Sequence, residues 1–420
     1  MSSQLIKLPT ELVENIAYNL PLPDVKNLRL TCQSIRDQIH HPFKDRFFSR
    51  KHINLTSKSL KGLIEVARHP QLGPPLSHLF INATPVFEKQ ITAIGKKIHD
   101  ASLDAAGLRS LLEIERDLLE KQKPTILESF SNATDRKLLS LAFLIIRHLR
   151  TITFIYDGFD SMEPEDSMYH MRRCQDEMSR PFMTTMSAIA FSGLTVDEIT
   201  VSKEHRHGFV TIGKMRFMAW QYSNLRHAFA NLRVLKIDLR DWMNPTRGWM
   251  PGLEKSPNVA RLLSRMPSLR ELDLSCHVYS SREEDVFEDV GRLVKLPYLE
   301  KCTLGLILAK EPSLMRLLKT SKKTLKHLTL RNAVLVSGKW TSFLESVAEE
   351  LALESLVLDN LYQDETIVLF KKDGKPVARL EGDGLKERII EYGRDYRVTS
   401  PLHYFQNFWD DAVRTPGAAA

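Results

Sequence analysis

Cysteine is scarce in this chain: four in 420 residues, at Cys32, Cys174, Cys276 and Cys302, separated by 142, 102 and 26 positions. No two stand close enough for a CxxC redox or metal pair, and so few do not make a disulfide scaffold. Long apolar runs are missing as well. The longest, Leu138 to Ile146, spans nine residues, against the roughly 20 a membrane helix needs. The opening stretch MSSQLIKLPTEL lacks the apolar core of a secretion signal. Net charge is only +7, and the basic stretches Lys44 to Lys51 and Lys319 to Lys326 are offset by acids such as Glu283, Glu284 and Asp285. No concentrated basic stripe marks a nucleic-acid partner. These absences predict a soluble protein of a reducing compartment, cytoplasmic or nuclear, with no membrane contact.

Catalytic signatures are absent too. No GxSxG elbow, HExxH helix, P-loop or GxGxxG turn occurs. His205 and His207 have no cysteine nearby and fit an exposed turn. The acids Asp157, Asp160, Glu163, Glu165 and Asp166 lack the alternating ligands and central glycine of a calcium loop. Sequons at Asn54, Asn82 and Asn132 carry no weight without a secretion signal. No motif therefore stands behind an enzyme reading such as a hydrolase, and no metal or cofactor is expected.

What is there is 43% hydrophobic residues, ordinary for a folded protein, arranged in two kinds of pattern. The first is helical. Leu8, Leu12, Ile16 and Leu20 recur every four residues, with Val13 and Ala17 as a second row beside them. Pro9 suits the start of this helix, Glu11 and Glu14 favour its N-terminal dipole, and Pro21 and Pro23 stop it. A second helix is predicted from Pro23, carrying Val25 and Leu28. A third follows through Cys32, Ile35 and Ile39, before Phe43, Phe47 and Phe48. Three helices in fifty residues bury too little to stand alone, so their apolar surface meets either the rest of this chain or a separate subunit.

These residues resemble the F-box family. The matching positions are Leu8, Pro9, Glu11, Leu12, Ile16, Leu20, Asp24, Leu28, Arg29, Cys32 and Arg36, while Ile35 stands where many members carry tryptophan. The resemblance covers residues 5 to about 48. It implies docking onto the Skp adaptor, and through it the cullin scaffold of a ubiquitin ligase. The expected adaptor-binding residues are Leu8, Pro9, Leu12, Ile16, Leu20, Val25 and Leu28. The alternative is a non-catalytic binding scaffold with a ligase-independent F-box.

The second pattern repeats. Apolar-x-x-apolar-x-apolar begins at Leu76, Leu149, Val196, Leu232, Leu269, Leu299, Leu325 and Leu353. From Val196 the starts step by 36, 37, 30, 26 and 28 residues, close to a leucine-rich repeat period of about 20–29. Each unit ends in a strand-like alternation, and apolar positions of helical spacing lie between units. Strand and helix in alternation require parallel strands. The predicted fold is α/β: a small three-helix F-box, then a leucine-rich-repeat-like solenoid with a parallel sheet inside and helices outside. An ordinary parallel α/β sheet is the other fold this pattern allows.

The expected division is 1–52 for the F-box, 53–365 for the solenoid with insertions, 366–414 for a C-terminal hairpin and helix cap, and 415–420 for a disordered tail. The insertions include a helix near Leu108 to Leu119, and the polar segment from Asp157 to Met186 is expected to be a long loop or a partly ordered excursion. Asp373-Gly374 between apolar runs signals a hairpin. The solenoid is expected to bind an unknown protein client. Its inner face, with Val234, Lys236, Asp238, Glu271, Asp273, Ser275, His327, Thr329 and Arg331, is mixed in charge and poor in aromatics. The client-binding candidates are therefore Arg240, Trp242, Met243, Arg247, Trp249 and Met250, in a loop punctuated by proline and glycine. Packing of both indoles onto neighbouring repeats remains the alternative.

Overall fold

The structure is a computed structural model. It describes residues 7–83, 134–156, 179–201, 210–212, 215, 217–241, 257–278, 286–363, 366–372, 375–376, 379–382, 384–394 and 396–399. Four helices open it, one more than the spacing predicts: α1 (Thr10–Asn19), α2 (Leu22–Thr31), α3 (Gln33–Gln38) and α4 (His40–Phe48). The breaks have local causes. Pro21 prevents α1 from continuing, and Cys32, at φ −162° and ψ 164°, is extended backbone between α2 and α3. Val13, Ala17, Val25, Ile35 and Ile39 form a core of their own, separate from that of the remaining chain.

Nine strands follow, each parallel to the next: β1 (Arg50–Asn54), β2 (His78–Asn82), β3 (Thr151–Ile155), β4 (Glu198–Val201), then β6 (Val234–Asp241), β7 (Glu271–Val278), β8 (Lys301–Gly305), β10 (His327–Ser337) and β11 (Ser355–Gln363). The short β5 (Val210–Thr211) and β9 (Leu308–Lys310) extend the pairing beside β6 and β10. Helices fill the crossovers: α5 (Ser57–Arg68), α6 (Thr134–Ile145), α7 (179–192), α8 (Ala219–Ala228), α9 (Asn258–Leu263), α10 (Val286–Leu293), α11 (Glu311–Lys319) and α12 (Trp340–Glu350). Each of these nine strands thus pairs with the next, with a helix among the described residues of every crossover, and the five repeat segments from 232 onward are neighbours in one parallel sheet, as their spacing predicts.

Register explains the motif. Leu79, Ile152, Ile199, Leu235, Leu272, Cys302, Leu328 and Leu356 stand opposite one another across eight strands, all with 0% exposure. Ile237, Leu274, Leu304, Leu330 and Leu358 form a second buried row two residues on. The first apolar residue of each unit from Leu76 to Leu325, such as Leu232 or Leu269, is buried just before its strand, and Leu353 of the last unit is half-buried. Burial pushes the Cys302 thiol up to about 12, with Asp273 adding to the rise, so this cysteine behaves as one more apolar rung. After Gly305, Arg331 and Asp359, which are register partners, Leu306, Asn332 and Asn360 all take positive φ of 53°, 48° and 49°. Asparagine tolerates this conformation, and leucine adopts it here at a cost of about 1 kcal/mol.

Two helix ends show how neighbouring units interlock. Lys339 precedes α12 without a capping side chain, and Glu311 of the preceding helix supplies one. Its Oε2 accepts from the Lys339 amide at 2.9 Å and the Ser342 hydroxyl at 2.7 Å. Trp340, fully buried, donates its indole N–H to the Tyr362 carbonyl at 2.9 Å. The outer edge of β11 is paired antiparallel by β12 (Thr366–Lys372) and β14 (Arg379–Glu381). β13 (Lys375–Pro376) forms a hairpin with β12, as the sequence predicts, and β15 (Tyr396–Thr399) pairs with β12 as well. The helix α13 (Leu385–Arg394) packs on α12. No helix among the described residues is long and apolar enough to cross a membrane.

Two expectations need correcting. The expected loop from Asp157 to Met186 gives way to helix from residue 179, where Phe182 and Met186 are buried. An apolar residue every four positions drives that burial. The repeat pattern also did not cover β1, because Ile53 is its single buried apolar side chain. The helix expected near Leu108 to Leu119 and the tail 415–420 lie outside the described residues.

Leu272→Ala removes a rung whose neighbours on both sides are fixed in register. Such core truncations cost about 2–5 kcal/mol, so the urea midpoint of the variant should fall markedly with an unchanged slope. An unchanged midpoint would mean the row is not the core.

Candidate functional site

The helical unit carries an apolar surface it does not bury. Val13 and Ala17 face its core, whereas Leu12 (51% exposed) and Ile16 (40% exposed), one position round the helix, face outward. Tyr18, on the other flank of α1, is exposed as well, and Leu30 on α2 is 83% exposed. Pro9 is exposed at the start of α1. Leu8, Leu20 and Leu28 are half-buried against the core. Val25 corrects the expectation: with 0% exposure it is a core residue of α2 and does not stand on the surface. Tyr18 and Leu30 were not foreseen. The signal was present for Leu30, whose neighbours three and four positions away are Lys26, Asn27, Gln33 and Ser34, all polar.

Arg46 holds this surface in shape. From α4 its Nη1 reaches the carbonyls of Ala17 at 3.4 Å, Leu20 at 2.6 Å and Tyr18, satisfying oxygens at the end of α1. Arg29 stacks over Phe43 at 4.0 Å, tying α2 to α4. A single residue, Ser49, separates α4 from β1. Its carbonyl accepts from the amides of Ser77 and His78, both at 3.0 Å, so the junction is built into the sheet's first pairing.

The second surface is the face of the sheet opposite the helices, where residues alternating with the buried rows emerge. It holds an aromatic cluster near the helical unit: His52 stacks on Phe80 at 4.4 Å, and His78 on Phe80 at 3.9 Å. His78 Nε2 lies 2.9 Å from Thr153 Oγ1. Burial, helped by Arg50 and His52, lowers the His78 value, which favours the neutral ring. The expectation of a face poor in aromatics therefore holds only for its later strands. There Glu271 bridges Lys236 at 3.1 Å and Lys301 at 3.2 Å across three strands. Burial raises the Glu271 value, but hydrogen bonds and attraction from the two lysines outweigh it, leaving the carboxyl below its ordinary range.

Arg240 lies near the end of β6. Trp242, Met243, Arg247, Trp249 and Met250 lie outside the described residues. Among the described residues no group of His, Cys, Asp and Glu can hold a metal ion.

The family model for the F-box domain matches residues 5–47, the segment that contains α1 to α3 and nearly all of α4. An F-box implies a role in Skp–cullin–F-box ubiquitin ligase complexes through the Skp adaptor, and proteins carrying one are typically non-catalytic adaptors. No curated protein matches the chain.

Because the folded Glu271 value is lowered, its ion pairs stabilise fully above the ordinary carboxylate range and fade as pH falls through the lowered value. The stability gap between the native chain and Glu271→Gln should therefore be largest near neutrality and close under acid. A gap independent of pH in thermal melts would show that the pairs do not contribute.

Proposed function

We propose that the chain is a substrate-receptor subunit of a Skp–cullin–F-box ubiquitin ligase, acting in the cytoplasm or nucleus. The helical unit holds the adaptor. The sheet and its outer helices act as a leucine-rich-repeat-like solenoid that carries the client, closed by the C-terminal strands and helix. The observation that supports this reading best is the coincidence of the F-box match with an exposed apolar patch on a unit that has its own core.

The exposed apolar side chains of the unit are Leu12, Ile16, Tyr18 and Leu30, with Pro9 exposed as well and Leu8, Leu20 and Leu28 half-buried. Fully burying a Leu or Ile side chain is worth about 1.5–3 kcal/mol, and Leu12 and Ile16 are already about half covered, so each offers less. Association itself costs several kcal/mol, so the patch must act together with its neighbours. Nothing in this role asks the chain for chemistry. Ubiquitin transfer belongs to partner enzymes, and the receptor supplies proximity, raising the effective concentration of client lysines. The one-residue junction at Ser49 suits that task, because it leaves little freedom between adaptor and sheet.

Leu12→Asp with Ile16→Asp places two carboxylates at the centre of the patch without touching Val13 or Ala17. Calorimetry should show adaptor binding abolished while the thermal melt of the sheet unit is unchanged. Undiminished affinity would reject the assignment. A receptor role further requires turnover of a bound client that depends on the cullin; adaptor binding without such turnover would favour a ligase-independent scaffold.

A further inference from the structure

A groove of about 740 Å³ opens between α9 and α10 on the helical side of the sheet, away from the adaptor patch and the open sheet face. Its lining is Pro257, Arg261, Ser264 and Arg265 from one side and Asp289, Arg292 and Leu293 from the other. Three guanidiniums and one carboxylate meet there. Arg292 is held by Asp289 at 2.6 Å, which uses the single negative charge among the groove's described lining residues. Arg261 and Arg265 stand four residues apart, on one face of the helix and its final turn. Among the described residues no carboxylate pairs with either. The Nε of Arg265 is buried without a hydrogen-bond partner, and its guanidinium sits 5.9 Å from the Tyr222 ring on α8. Burial holds the Tyr222 phenol above its ordinary value, and both Arg261 and Arg265 are near enough to pull it back. Tyr222 is itself fixed, donating to Asn258 Oδ1 at 3.2 Å.

Arginines that no carboxylate among the described residues pairs are available to a complementary ligand. The positive charge is spread out. Arg265 leans toward α8 while Arg292 is tied to α10, so the guanidiniums do not converge on one point, and Asp289 would face any compact dianion placed between them. Leu293, 38% exposed, and Pro257 add apolar wall. Separate carboxylates spaced along a peptide, around one apolar side chain, match this layout.

We propose that the groove docks an acidic segment of a partner protein, with aspartates or glutamates meeting Arg261 and Arg265 and an apolar side chain lying against Leu293. The segment's carboxylates pair with the guanidiniums of Arg261 and Arg265, and Asp289 limits how many negative groups fit. This site adds to client capture, but it is measured on the full-length chain without adaptor, so its failure leaves the adaptor reading standing.

Fluorescence anisotropy of a fluorescein-labelled Glu-Glu-Leu-Glu-Glu peptide against the full-length chain tests it at low salt. Arg261→Glu should weaken binding roughly tenfold or more, as expected for reversing a charge-assisted contact. Arg261→Gln should give a smaller loss, and added salt should weaken the native complex. Lys322→Glu, an exposed change of the same charge elsewhere, should leave binding intact. Equal binding by the native chain and Arg261→Glu would overturn the proposal, as would an equal loss in Lys322→Glu. Tighter, Arg261-dependent binding of a single phosphoserine peptide or of an oligonucleotide would overturn the choice of a carboxylate partner.

Discussion

The parallel register of the sheet is the constraint on which the rest depends. One apolar side chain per strand must land opposite its neighbours, from Leu79 to Leu356, for any of them to leave water. A slip of one residue would turn each of these to the other face and bring residues such as Thr153, Lys236, Asp273 and Thr329 inward. The cost of that exchange, repeated across eight strands, far exceeds the stability of a typical domain, which is about 5–15 kcal/mol. The register therefore also fixes the other face. Glu271 meets Lys236 and Lys301, and His52 meets Phe80, because their buried neighbours leave no alternative.

The helical unit obeys a different economy. Its core is five buried residues, and it leaves Leu12, Ile16, Tyr18 and Leu30 in water. Arg46 and Arg29 stiffen it with carbonyl and aromatic contacts rather than with more apolar burial. A unit with so little core and exposed apolar side chains suits the partner that the F-box match suggests. The junction at Ser49 gives that partner a direct mechanical connection to β1, and the Glu311 cap and Trp340 anchor carry rigidity to the far end.

Most of the sheet was legible from sequence because its signal repeats. A single Leu-x-x-Leu-x-Leu means little, but eight of them separated by helical spacing specify strand, return and strand again. β1 escaped because an edge strand carrying only Ile53 has too few apolar positions to show alternation. The helix at 179–192 was obscured by the polar stretch leading into it. In the helical unit, the stripe Leu8, Leu12, Ile16 and Leu20 was readable, but which row faces the core was not. That choice is settled by contacts from Ile35 and Ile39, far along the chain, which select Val13 and Ala17. Val25 was misplaced for the same reason. The arginine groove was invisible in sequence, since Arg261 and Arg292 are brought together only by the packing of α9 against α10.

The account rests on a division of labour between a helical unit that meets the adaptor and a sheet unit that does not. Hydrogen exchange of the full-length chain, with and without the Skp adaptor, reads that division directly. Protection on adding adaptor should rise in peptides covering α1 and α2 and stay unchanged in those covering β4 to β11. Unchanged exchange across residues 10–31, or new protection centred on the sheet, would contradict it.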